Sequence, residues 1–165
     1  MSVAAGDCTT TEGGNLTVAL GETCTWSAGT YTFNQLTILG TVTVINEVSV
    51  SAIDFNLTST GTISGVGHGF SSNTGPGISA GNGNGAAHAG CGGQGTCSTD
   101  PSATSSRAYG SVFAPTMMGS GGHPYASYQG AAGGGALRLI VSGTAQLDGT
   151  IDMSAATTTT SMSGG

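Results

Sequence analysis

Leu36-Thr37-Ile38-Leu39-Gly40-Thr41-Val42-Thr43-Val44 decides how this chain folds. Apolar residues at 36, 38, 42 and 44 alternate with threonines, and one glycine breaks the run at 40. Period two puts alternate side chains on opposite faces of a strand, so one face is buried and the other is wet. The same alternation runs through Tyr31-Thr32-Phe33, Val48-Ser49-Val50, Asp54-Phe55-Asn56-Leu57 and Gly61-Thr62-Ile63. β-branched and aromatic residues suit such positions. Helix formers are scarce and no apolar stripe of period 3.6 exists, so almost no helix is expected.

A longer repeat lies over this alternation. Leu36-x-Ile38-x-Gly40-x-Val42 is echoed by Phe55-x-Leu57-x-x-x-Gly61-x-Ile63. Both are echoed by Leu139-x-Val141-x-Gly143-x-Ala145, which continues into Leu147-Asp148-Gly149-Thr150-Ile151. A strand, a glycine corner and a second strand recurring about every twenty residues predict a short parallel β-solenoid, whose stacked units bury one continuous core. The alternative is an antiparallel β-sandwich, which also has short strands and frequent turns. Hairpin turns of the Asn-Gly or Asp-Gly kind would separate longer alternating runs than these.

The expectation is one domain over 1–165. It has a disulfide-bearing lead-in (1–29), solenoid rungs (30–64), a glycine-rich excursion (65–135), a returning rung (136–155) and a Ser/Thr/Gly tail (156–165). A structureless loop as long as the excursion is unusual in a compact domain. Glycines permit positive φ and close backbone approach. Three readings stay open: a compact loop stapled by Cys91–Cys97, extended polyglycine-type chains packed side by side, and disorder. Phe70, Tyr109, Phe113, Met117, Met118, Tyr125 and Tyr128 give the excursion side chains to bury, which favours order.

The phrases come in a recognisable order. Gly65-Val66-Gly67-His68-Gly69-Phe70 leads to Gly75-Pro76-Gly77 and to Gly85-Ala86-Ala87-His88-Ala89-Gly90-Cys91-Gly92-Gly93. Tyr109-Gly110-Ser111 and Gly119-Ser120-Gly121-Gly122 follow, then Gly133-Gly134-Gly135-Ala136 and a strand ending Asp148-Gly149-Thr150-Ile151. Over about residues 30–155 the order resembles glycine-rich extracellular proteins that are similar to right-handed parallel β-helix (pectin-lyase-like) proteins of surfaces and matrices. The resemblance implies a β-helix, an extracellular setting and a structural or adhesive role. It implies no activity.

Composition narrows the function further. Only 6% of the 165 residues are charged, against about 25% in ordinary soluble domains. Lysine is absent, and the only arginines are Arg107 and Arg138. Nucleic-acid binding needs many cationic phosphate contacts and is excluded; attraction to an anionic membrane surface fails for the same reason. No apolar run is long enough to span a bilayer. So few charges leave solubility to hydroxyls, glycans or self-assembly.

Four cysteines at 8, 24, 91 and 97 form two local pairs, predicting disulfides Cys8–Cys24 and Cys91–Cys97 and an oxidising compartment. Their spacings of sixteen and six fit no common zinc pattern. Asn15-Leu16-Thr17 and Asn56-Leu57-Thr58 are N-glycosylation sequons. Thr157 to Thr160 are expected to accept O-linked sugars. Met1-Ser2-Val3-Ala4-Ala5 has the small residues of a signal cleavage region without its apolar core. Either a signal has been removed or the chain belongs to something longer.

Candidate chemistry is sparse. Gly67-His68-Gly69 occurs in β-helix glycosidases that cut pectins, but those need two carboxyls flanking the scissile bond. Asp54, Asp148 and Asp152 are the only acids near rung ends. A lyase on this fold would need a basic residue and calcium ligands that two arginines and scattered acids do not supply. His68, His88 and His123 are the only histidines and make a candidate three-histidine metal site. The competing reading is that each hydrogen-bonds a loop carbonyl. Asp148-Gly149-Thr150-Ile151-Asp152 has too few oxygens for a calcium site and reads as a corner. Thr30-x-Thr32, Thr41-x-Thr43 and Thr60-x-Thr62 would make a threonine ladder if stacked in register, although their offset from the apolar repeat varies.

These readings converge on a secreted or cell-surface, self-assembling structural protein. It is expected to be a subunit of a filament, sheath or adhesive matrix, with no catalytic role, no cofactor, and itself and glycans as partners. The alternatives are a carbohydrate- or ice-binding β-solenoid module and, less favoured, a polysaccharide-active enzyme.

Overall fold

A computed structural model describes residues 6–8, 14–78, 85–89, 108–124 and 129–157. Among these residues there is no helix. Ten strands follow one another: β1 (Gly6–Asp7), β2 (Leu16–Val18), β3 (Thr23–Trp26), β4 (Gly29–Ile38), β5 (Thr41–Val44), β6 (Glu47–Leu57), β7 (Thr62–Ser64), β8 (Ala136–Val141), β9 (Ala145–Leu147) and β10 (Thr150–Asp152). Strands 1, 3, 5, 7 and 10 form one sheet in that order. Strands 2, 4, 6 and 8 form the other, with β9 also paired to β6. Each described register is parallel, so the antiparallel sandwich is not the arrangement found.

The described residues fall into two compact units. One lies within Met1–Gly65 and Leu137–Asp152, the other within Val66–Ala136 and Met153–Gly165.

In the first unit the inward residues stack in columns. Leu16, Leu36, Phe55 and Ala145 stand in register, as do Val18, Ile38, Leu57 and Leu147. In the other sheet Cys24, Val42, Ile63 and Ile151 do the same. Strand β5 alternates half-buried Thr41 and Thr43 with buried Val42 and Val44, the pattern its sequence predicts. Each fully buried Val, Leu, Ile or Phe is worth about 1.5–3 kcal/mol against exposure. That reward requires the register, because a one-residue slip would turn Val42 and Val44 outward. Trp26 packs against Tyr31 and Phe33, with ring centroids 5.9 and 6.3 Å away.

Glycine corners make the close stacking possible. A Cβ on Gly40 would stand 2.3 Å from the carbonyl oxygens of Ala19 and Glu22, and one on Gly61 would stand 2.3 Å from Ile38 O. In place of that clash the backbone bonds strand to strand. Thr41 N donates to Glu22 O, Thr62 N to Gly40 O and Thr150 N to Gly61 O, at 2.9 to 3.0 Å.

Within the 1–29 lead-in, β2 and β3 carry core residues Leu16, Val18, Cys24 and Trp26 of both sheets. One expectation changes: the third repeat has a different phase. Ala145, not Leu139, stands beside Phe55, and Leu147 stands beside Leu57. Strand β6 runs unbroken for 11 residues, whereas the chain beside it is broken into β8 and β9 at Ser142–Thr144. Thr144 N donates to Asp54 Oδ1 there, at 2.9 Å.

Among the described residues of the second unit, only Ala136, the first residue of β8, lies in a strand. Three stretches, 67–75, 117–124 and 129–136, bond to one another through backbone. Gly69 N donates to Gly133 O and Gly133 N to Phe70 O. Phe70 N donates to Gly119 O, Gly119 N to Gly134 O and Gly122 N to Ala131 O. Each stretch thus bonds both others, the side-by-side packing that chains without side chains allow. Phe70 and Tyr109 are half-buried, but Phe113 is 99% exposed and contributes nothing to a core. Tyr125 and Tyr128 lie outside the described residues.

Candidate functional site

The structure does not gather His68, His88 and His123 into a ligand cluster. All lie in the second unit, and among the described residues no three His, Cys, Asp or Glu side chains group to hold an ion. His88 Nε2 donates to Met117 O at 2.9 Å, and His123 Nδ1 donates to Pro124 O at 2.7 Å. A carbonyl oxygen only accepts, so each of these nitrogens carries its proton. The His88 ring meets Tyr109 edge-on, with centroids 4.8 Å apart.

Around Tyr109 runs a chain of hydrogen bonds with one direction. Gly77 N donates to Ser120 Oγ (2.9 Å), Ser120 Oγ to Tyr109 Oη (3.0 Å), and Tyr109 Oη to Met118 O (2.6 Å). Ser120 is fully buried, so its hydroxyl depends on these partners. The network satisfies the buried hydroxyl of Ser120.

The acids are equally committed. Asp54 Oδ1 accepts from Thr144 N, and Asp148 Oδ2 accepts from Gln146 Nε2 at 2.6 Å. Asp152 lies on β10 beside Ser64.

Cys8 and Cys24 form a disulfide within the core of the first unit, 0% and 3% exposed. Cys91 and Cys97 lie outside the described residues, as do Thr158, Thr159 and Thr160. The sequons differ in setting. Asn15 is exposed just before β2, and its Nδ2 donates to Gln35 Oε1 at 3.2 Å. Asn56 sits inside β6 between Thr37 and Gln146. Its Oδ1 is buried with no partner among the described residues. Asn56 borders a depression of about 230 Å³, lined also by Gln35, Leu36, Thr37, Asp54, Phe55, Thr144 and Gln146.

The most regular surface feature is a hydroxyl ladder on the other sheet. Thr23, Thr41, Thr62 and Thr150 stand in one register column, and Thr25, Thr43, Ser64 and Asp152 in the next. Four strands thus present Thr-x-Thr, Thr-x-Thr, Thr-x-Ser and Thr-x-Asp, each around an inward residue: Cys24, Val42, Ile63 or Ile151. The threonine pairs read from sequence are only partly its members. Thr30 and Thr32 lie on β4, beside Ser49 and Ser51 of the other sheet. Thr60 is in a turn, where its hydroxyl donates to Leu39 O at 2.9 Å. The signal that locates the ladder is a polar residue, hydroxylated in all but Asp152, on each side of the apolar residue in the second strand of each repeat. Thr23-Cys24-Thr25 escapes a search for a β-branched core residue.

Among the described residues no helix crosses a membrane, since there is none. No family model, curated protein or solved structure matches the chain.

Proposed function

We propose that this chain is a short parallel β-solenoid acting as a structural extracellular module that associates with a second copy through its β9–β10 end. The observation that carries this is the fate of two core columns. Val18, Ile38 and Leu57 are each 0% exposed, but Leu147 in the same column is 56% exposed. Cys24, Val42 and Ile63 are 3%, 0% and 1% exposed, but Ile151 beside them is 43% exposed. Among the described residues β10 stands last in its sheet's order, and the edge of a parallel sheet is a template for a further strand. A further layer would bury these apolar groups and complete the ladder, and a second copy of the same end supplies both. At the other end Leu16 and Val18 are already buried, which favours pairing of like ends. A buried disulfide and a low charge suit an oxidising exterior.

Sedimentation velocity on the full chain over a range of concentrations tests this. The expected result is association that Leu147→Asp abolishes while the circular dichroism spectrum stays unchanged. A wild-type chain that remains monomeric at every concentration would remove the proposal.

A further inference from the structure

We propose that the hydroxyl ladder of β3, β5, β7 and β10 is an ice-binding face. It lies on the flank of the first unit, away from the core columns, and does not depend on the association proposed above.

The argument starts from spacing. Parallel strands lie about 4.8 Å apart, and residues i and i+2 of one strand about 6.6 Å apart. The register therefore sets Thr23, Thr41, Thr62 and Thr150 in a row, with Thr25, Thr43, Ser64 and Asp152 as a second row alongside. Water oxygens joined by hydrogen bonds lie about 2.75 Å apart, so tetrahedral geometry puts second neighbours about 4.5 Å apart and repeats puckered layers at about 7.3 Å. The grid approximates both repeats of that lattice. Its members are stiff, because a β-branched threonine in a strand has few χ1 choices. Each threonine also offers a methyl beside its hydroxyl, so the face holds water in register without gripping it at every point.

Charge and shape choose among ligands. The first three strands of the face carry only Thr23, Thr25, Thr41, Thr43, Thr62 and Ser64, all uncharged. A neutral face matches a neutral surface. The ladder positions carry no aromatic side chain on which a sugar ring would be held. A repeating grid of stiff hydroxyls, with its one carboxylate at Asp152 on the last strand, fits an extended crystalline partner better than a discrete ligand.

Nanolitre osmometry and microscopy of single ice crystals in a solution of the full chain test the proposal. The expected result is a gap between melting and freezing points together with faceted crystals. Thr62→Tyr and Thr41→Lys should each remove both effects, while Thr32→Tyr on the other sheet should leave them intact. Circular dichroism melts establish that the variants fold, and two different substitutions guard against one that does not. Round, unshaped crystals with the wild-type chain would overturn the proposal. So would faceting that survives both ladder variants, or capture on insoluble cellulose or chitin that Thr62→Tyr abolishes in the absence of ice shaping. The Leu147→Asp monomer should still shape ice, which separates failure of this inference from failure of the association.

Discussion

A Cβ built on Gly133 would lie 1.9 Å from the carbonyl oxygen of Gly119. The obstacle is backbone, which cannot swing aside as a side chain can. Gly133 also donates to Phe70 O and accepts from Gly69 N, so displacing it breaks both of these bonds to the 67–75 stretch. Gly133→Ala should therefore strip hydrogen-exchange protection from the amides of Phe70, Gly119 and Gly133. Gly21→Ala is the contrast. Nothing lies within 4 Å of its added Cβ, and the cost is only that of holding alanine at φ +82°, about 1 kcal/mol. Equal effects of the two substitutions would show that close packing of backbones does not order this unit.

The Cys8–Cys24 bond closes a loop of sequence separation 16 at the first strands of the core. Loops of that size gain about 3 kcal/mol from a cross-link in the chain-entropy account. Cys8→Ala with Cys24→Ala should lower unfolding stability by about 2–4 kcal/mol, measured by urea denaturation of the first-unit tryptophan fluorescence. Trp26 is a suitable reporter because it is 1% exposed and lies on the same strand as Cys24. A denaturation midpoint unchanged by the substitutions or by reductant would refute this.

Tyr109 and Ser120 allow a test of the hydrogen-bond chain in the second unit. Tyr109→Phe keeps the ring against His88 and removes the hydroxyl that accepts from Ser120 Oγ and donates to Met118 O. A buried polar group left without its partner costs about 1–3 kcal/mol. The double variant Tyr109→Phe with Ser120→Ala should lose less than the sum of the two single changes, because they remove one network. Strict additivity in thermal unfolding would mean the bonds contribute independently.

What was legible in the sequence follows from what alternation can encode. The run from Leu36 to Val44 carries its own phase, and its buried residues are the ones it predicts. Phase across the excursion is harder to read. Leu139-x-Val141 and Ala145-x-Leu147 both alternate, and only pairing with Phe55 and Leu57 selects the second. The hydroxyl ladder was half visible for the same reason. Thr41 and Thr62 are partners although Thr60-x-Thr62 looked like the matching pair, because a turn at Thr58–Thr60 shifts the repeat. Order in the excursion left almost no signature, since bonds such as Gly69 N to Gly133 O join glycines that have no side chain to mark them.

Leu57 and Leu147 share a column and differ in cover, which makes them a matched pair. Leu57 is 0% exposed and Leu147 is 56% exposed. Leu57→Ala should destabilise the first unit by about 2–5 kcal/mol through lost transfer energy and the cavity left behind. In a monomer Leu147→Ala should cost within about 0.5 kcal/mol, as exposed substitutions do. Chemical denaturation at low and high protein concentration separates two origins of any larger effect. If a second copy covers the β9–β10 end, Leu147→Ala becomes more costly as concentration rises, because mass action couples association to folding. A cost for Leu147→Ala that is large at every concentration would mean that Leu147 is covered from within its own chain, and the association proposed for this end would have no basis.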